Sequence, residues 1–202
     1  MNTSGHIEKP FWGDLPGKCI IFSAPSGAGK TTIVKYLLRQ IPNLSFSISA
    51  ASRQPRGKEE SGVDYHFFTV AQFKERIEKK EFVEWEEVYT NNFYGTLKSE
   101  VLKAWKNNKI VVFDVDALGG KNLKSIFGER SISIFIKPPS LFVLEQRLKN
   151  RGTETPEQIK MRLDKANEEI AHADDFDYTL LNDNLEHACA EIKVIIQDFI
   201  QT

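Results

Sequence analysis

Apolar and polar positions change their spacing several times along the chain, and each change marks an element. Cys19 to Ser23 (CIIFS) is a short, apolar, β-branched run that stops at the turn-rich A-P-S-G-A-G; from Thr31 to Ile41 apolar residues recur at 33, 37, 38 and 41, one face of a helix. This predicts strand, glycine loop, helix. Leu44 to Ala50 alternates, with Leu44, Phe46, Ile48 and Ala50 on one side and Ser45, Ser47 and Ser49 on the other, which predicts a half-buried strand with one hydroxyl face. Residues 52–64 are polar and rich in turn formers. YHFFTV and FVEWEEVY then read as short strands on either side of a helix carrying Phe73 and Ile77, together a small antiparallel insert. Leu97 to Trp105 has helical spacing, and IVVFDV at 110–115 and SISIFIK at 131–137 are apolar enough for interior parallel strands. Leu141, Leu144 and Leu148, then Ile159, Leu163, Ala166 and Ile170, mark two helices broken at Gly152 to Pro156; YTLLND at 178–183 is a last strand and Leu185 to Ile200 a closing amphipathic helix. Strands alternating with helices define an α/β chain with a doubly wound parallel sheet.

Composition narrows what such a chain can bind. At 202 residues it is one domain's length, and 27 Lys+Arg against 28 Asp+Glu give a net charge of -1, so no basic field gathers nucleic acid or anionic lipid. Any bound anion needs a local site. Hydrophobic residues at 41% and charged residues at 27% are ordinary globular values, and no run approaches a membrane span. Two cysteines, Cys19 and Cys189, are too few for a disulfide framework or metal cluster and read as reduced core thiols of a cytoplasmic protein. Residues 1–17 read as a tail without a secretory signal, and whether Phe11 and Trp12 pack on the domain is left open by the pattern.

Ala24-Pro25-Ser26-Gly27-Ala28-Gly29-Lys30-Thr31, followed by Thr32, matches the phosphate-loop spacing G-x-x-x-x-G-K-S/T, with Ala24 in place of the first glycine. Such a loop wraps backbone N–H groups around phosphate oxygens and ends in a helix N-terminus that favours anions. Lys30 then brings a charge to the β- and γ-phosphates and Thr31 a hydroxyl to Mg²⁺. The loop implies a nucleoside triphosphate as donor but leaves the acceptor open. Past the serine-faced strand, Arg53 and Arg56 flank Pro55, and Tyr65 follows; two arginines and a phenol suit a phosphate dianion. Glu84, Tyr94 and Thr96 add a carboxylate, a phenol and a hydroxyl, while Asp114 and Asp116 end an apolar strand, where α/β sheets bind ligands. Arg147 and Arg151 share a helical face and Arg162 lies on the next helix, two arms able to close on one anion.

Together these segments resemble the guanylate kinase family from about Lys18 to the C-terminus. The resemblance rests on SAPSGAGKTT, S-x-S-x-x-S/T-R-x-P-R leading to YHF, F-V-E-W, Y-G-T, D-V-D, P-P-S and R-L-K-N-R-G-T-E-T. It implies a core of about 18–50 and 97–202, a GMP-binding insert of about 51–96 and a helical lid of about 141–170. It also implies ATP:GMP phosphotransfer with Mg²⁺, and dGMP as a second acceptor. By the same resemblance Arg53, Arg56, Tyr65 and Tyr94 hold the GMP phosphate. Ser49 and Thr96 donate to guanine O6, and Glu84 and Asp116 accept from N1–H and the 2-amino group. That set complements guanine, whose O6 accepts beside two donors. Lys30, Arg53, Arg147, Arg151 and Arg162 then act on the transferring phosphoryl group, Asn182 contacts adenine, and Asp114 reaches the Mg²⁺ through water.

The chain departs from the family pattern at Leu118, where glutamine is usual, at Ala51-Ser52 in place of a threonine pair, and in the Pro55-Arg56-Gly57-Lys58-Glu59 spacing. Two rival readings stand beside the resemblance. One is a kinase of another phosphorylated acceptor such as a ribose bisphosphate, against which the guanine-reading set of Ser49, Glu84 and Thr96 argues. The other is a non-catalytic binding module of the same shape, against which the intact Lys30 and Thr31 argue. No nucleic-acid or membrane partner is expected.

Overall fold

A computed structural model describes residues 10–150 and 155–202. The apolar run Cys19–Ser23 forms β1, every residue of it buried. It lies at the centre of a five-stranded sheet between β7 (Ile110–Val115) and β8 (Ser131–Lys137), with β2 (Leu44–Phe46) and β9 (Tyr178–Leu181) at the edges, all pairs parallel. The two-residue period of β1 divides its side chains between two cores. Ile20 and Phe22 pack with Ile33 and Leu37 of α1 (Lys30–Gln40) and Ile192 and Ile196 of α7 (Leu185–Gln201). Cys19 and Ile21 face Trp105 of α3 (Lys98–Lys106) and Leu123 and Phe127 of α4 (Ala117–Phe127). The doubly wound parallel sheet read from the sequence is present, and both strands expected to be interior are interior.

The insert is a second sheet in the order β4-β3-β6-β5, made of β3 (Ala50–Ala51), β4 (His66–Phe67), β5 (Phe82–Tyr89) and β6 (Asn92–Leu97). It packs with α2 (Val70–Glu78), whose Phe73 is fully buried and stacks on Phe82 and Phe93. The expectation of an antiparallel insert needs correction: β3 pairs antiparallel with β6 but parallel with β4, because the chain reaches β4 through the loop of residues 52–65 rather than through a hairpin.

The strand expected over Leu44–Ala50 is two strands in two sheets. Ser47 N–H still donates to Val112 O of β7 (2.9 Å), whereas Ser49 O already accepts from His66 N–H of β4 (2.9 Å). The hand-over reverses the predicted faces only at its middle, where Phe46 is 37% exposed and Ser47 is buried, while Leu44 and Ala50 are buried as expected. Ser49 is left at the junction of the sheets.

α4 carries no helical signature that the sequence reading recognised, because Gly119-Gly120 reads as a turn. The structure gives Gly120 a reason. A Cβ there would lie 2.9 Å from the Phe176 ring, which is itself packed against Phe135 with centroids 5.3 Å apart. Glycine to alanine inside a helix ordinarily stabilises by about 0.5–1 kcal/mol. Here the overpacking reverses the sign, and Gly120→Ala is expected to cost a net ~1–2 kcal/mol. Thermal unfolding checks this, and a midpoint equal to or above the wild type refutes it.

The end of the tail is tied down. Trp12 stacks on Phe127 (5.3 Å) and meets Trp105 edge-on (5.8 Å), and Phe11 joins the same cluster. The residues left open by the pattern therefore cover the α3–α4 face. The two helices expected to form a lid are α5 (Leu141–Asn150) and α6 (Pro156–Ile170), the latter capped by Thr155, whose hydroxyl accepts from Gln158 N–H. Of the break expected at Gly152 to Pro156, residues 152–154 lie outside the described residues, and Thr155 and Pro156 begin α6. Among the described residues no helix is long and apolar enough to cross a membrane.

Candidate active site

The phosphate loop lies between β1 and α1. Gly27 and Gly29 have φ of 94° and 99°, left-handed values that disfavour side chains. At Gly29 the constraint is also spatial, since a Cβ would come within 2.3 Å of the Asn182 amide nitrogen. A cleft of about 650 Å³ opens over the loop, within the usual range for small-molecule sites. Ala24, Pro25, Ser26, Gly27, Gly29, Lys30, Thr31 and Thr32 line its floor. Ala28 does not; it is buried, and its carbonyl accepts from the Asn182 amide (2.7 Å). Lys30 Nζ pairs with the Asp114 carboxylate and donates to Val115 O at 2.8 Å.

The opposite wall brings together Ser49, Arg56, Tyr65, Tyr94, Asp114 and Asp116, all predicted, with Phe46, Asp64 and Val88, which were not. A deeper cavity of about 270 Å³ shares Lys30, Ser49, Tyr65, Tyr94, Asp114 and Asp116 with the cleft, and adds Glu84, Glu86, Gly95 and Gly119. The phosphate loop and the insert thus face one continuous space.

Arg53 does not line that space. Its guanidinium makes a bidentate pair with Glu59 (2.6 and 2.9 Å), donates to the Tyr94 hydroxyl (3.0 Å) and covers the Tyr65 ring. The Glu59 bond raises the Arg53 pKa further, and Arg53 in turn holds the half-buried Glu59 down at about 2. Arg53 therefore fixes the two phenols that do face the space. Burial pushes the Tyr65 hydroxyl up, so it stays a neutral donor.

Thr96 is buried, and its hydroxyl donates to Glu84 Oε1 at 2.8 Å. A hydroxyl has one hydrogen to give, so the expectation that Thr96 donates to guanine O6 is corrected: it orients Glu84. Burial, more than the nearby Asp116 and Glu86, raises Glu84 to about 7. Asp116 caps α4, its Oδ1 accepting from Gly119 N–H at 2.8 Å, which explains a carboxylate at the sheet's C-terminal edge. Leu118, in the position where an amide was missed, is 52% exposed on α4 and plays no part in either cavity.

On the lid, Arg162 lines the cleft and donates to Ser26 Oγ at 2.7 Å. Arg147, expected to face the same anion, instead donates to Asn182 O (2.9 Å) and, more weakly, to Ala28 O (3.5 Å). It braces the loop from behind. Asn182, expected against adenine, is 3% exposed and lies beneath Gly29; it too supports the loop. Arg151 lies outside the described residues. Reasoning from sequence missed Lys165 and Glu169 of α6, which line the cleft, and Glu86. The first two lie at i+3 and i+7 from Arg162 and so on its helical face; the last lies at i+2 from Glu84 and so on its strand face.

A parallel sheet with a glycine loop opening into α1, facing an arginine- and tyrosine-bearing insert, defines a phosphate-loop nucleotide kinase architecture. Comparison with known proteins gives the narrower placement. The family model described as guanylate kinase matches residues 16–199. The chain is 52% identical over 186 residues to the guanylate kinase of Bacteroides thetaiotaomicron, covering 92% of this chain and 91% of that protein. It is also 52% identical over 201 residues to that of Bacteroides fragilis, covering 99% and 98%. The crystal structure of guanylate kinase from Anaplasma phagocytophilum superposes with a TM-score of 0.72 at 27% identity, covering 91% and 86% of the two chains. The chain belongs to the guanylate kinase family and is a phosphotransferase of that class.

Proposed function

We propose that this chain carries the γ-phosphoryl group of ATP to a phosphate oxygen of GMP, giving ADP and GDP, with dGMP accepted as well. The single observation that supports the reading best is the continuity of the space: the loop floor and the guanine-complementary wall share Lys30, Ser49, Tyr94, Asp114 and Asp116. The bond between Pγ and the bridging oxygen breaks as the GMP oxygen bonds to Pγ. That oxygen is already anionic, so no general base is needed, and catalysis reduces to alignment and charge. Arg56, Tyr65 and Tyr94 hold the acceptor phosphate, with Arg53 fixing the two phenols. Ser49 donates to the base, and Glu84 and Asp116 accept from it. Lys30, released from Asp114 by the competing phosphates, and Arg162 from the lid meet the charge that spreads over the equatorial oxygens. Arg147 and Asn182 keep the loop in register.

Thr31 and Asp114 offer a hydroxyl and a carboxylate facing the cleft, an oxygen donor set that suits Mg²⁺. Bound there with ATP, the ion would neutralise phosphate charge and fix the phosphate geometry. The cytoplasm suits two free, buried cysteines and the supply of both substrates.

The test is ADP release with ATP-Mg²⁺ and, in turn, GMP, dGMP, AMP, CMP, UMP and dTMP. Turnover is expected with GMP and, more weakly, dGMP. Equal turnover with AMP overturns the reading of the base, and none with any nucleotide from a protein that binds ATP overturns the proposal and favours a sugar-phosphate acceptor.

A further inference from the structure

Glu86 has no role in the reading above, yet it sits inside the acceptor cavity. β5 and β6 pair so that Glu84 lies opposite Thr96 and Glu86 opposite Tyr94. The strand period then puts Glu84, Glu86 and Val88 on one face, and all three line the deeper cavity. The Glu86 carboxyl comes within hydrogen-bonding reach of Asp116, whose other interaction is the cap on Gly119 N–H. Beside Glu84, the cavity thus presents two further carboxylates as acceptors, Glu86 and Asp116.

We propose that Glu86 is a second specificity-determining residue for the acceptor base, forming with Asp116 a two-carboxylate clamp for an exocyclic amino group. The inference rests on the reading of the acceptor as a guanine nucleotide. A 2-amino group carries two diverging N–H bonds, and a single carboxylate on one side satisfies only one of them. Asp116 and Glu86 approach from different elements, the N-terminus of α4 and the middle of β5, so that each accepts one bond. Gly95 and Gly119 line the same cavity and leave room for a ring edge to reach the pair. Lys165 is the cation nearest Glu86 in effect and suggests another role, a latch between insert and lid. But Lys165 lines only the outer cleft and Glu86 only the inner cavity, which places Glu86 with the base rather than with the lid.

GMP and IMP differ only in the 2-amino group and make the test direct. Binding of each is measured by titration calorimetry to the full chain and to Glu86→Ala and Glu86→Gln, the isosteric variant guarding against a folding defect in the first. The expected result is a roughly ten- to hundred-fold loss of GMP affinity in Glu86→Ala, a smaller loss in Glu86→Gln, and IMP affinity within about threefold of wild type in both. Equal losses for GMP and IMP indicate the latch and overturn the proposal. So does no loss for either, or a wild type that binds both nucleotides alike. Failure of the underlying reading looks different: the wild type then shows no preference for GMP over AMP.

Discussion

Lys30→Ala is expected to lower kcat by roughly 10³-fold or more while the protein still folds and still binds GMP. The magnitude follows from where the ammonium sits. It is tethered to the Asp114 carboxylate and Val115 O at the mouth of the loop, and the cleft over it is shared with the acceptor wall. Charge developing on the transferring group falls where Lys30 can reach and where few other cations stand. The substitution leaves Asp114 without its partner in a site only partly open to water, so some stability is lost as well. Lys30→Met keeps the apolar stem and separates the two effects. Single-turnover rates, together with GMP titration, decide the matter. Turnover near wild type would remove the loop from the reaction, and loss of GMP binding in both variants would mean that Lys30 holds the acceptor wall rather than the donor.

The phosphate loop was readable because its chemistry is local: the strand, the glycines and the lysine are contiguous, and backbone geometry there depends on near neighbours. The residues of the insert that line the cavities were readable as a set, but their partners were less so. Thr96 was expected to donate to the base, and nothing in Y-G-T reveals that β6 puts its hydroxyl opposite Glu84. Arg147 and Asn182 follow the same rule, their partners being backbone carbonyls that only the folded chain supplies. Leu44–Ala50 misled for a different reason. Its alternation is real, but strand pairing moves from β7 to the insert between Ser47 and Ser49, and a local period cannot register a change of partner. α4 was hidden by Gly119-Gly120, whose cause, the approach of Phe176, lies 56 residues away in sequence at Gly120.

Glu84→Gln is expected to cost at least roughly 10²-fold in kcat/KM for GMP with little change in ATP binding. The amide keeps the size of the side chain and an oxygen for the Thr96 hydroxyl, so it removes the charge and little else. What it presents to guanine N1–H is then a neutral group, half donor. Acid should mimic the substitution in the wild type. Burial holds Glu84 at about 7, so between pH 8 and pH 6 most of the free enzyme passes from carboxylate to carboxylic acid. The acid offers O–H to guanine N1–H, donor against donor, and the same O–H to the N1 lone pair of adenine. The ratio of kcat/KM for GMP over AMP should therefore fall by about tenfold over that range. The two nucleotides carry the same phosphate, so its own titration cancels. Stability moves the other way. A carboxyl whose folded pKa lies above its unfolded value binds more protons when folded, so its contribution declines as pH rises from about 4.5 to 7. Glu84→Gln should be at least as stable as wild type at pH 8 while reading the base poorly. A variant that loses both stability and GMP use would make Glu84 a structural residue, and a GMP-to-AMP ratio flat in pH would place the reading of the base elsewhere in the cavity.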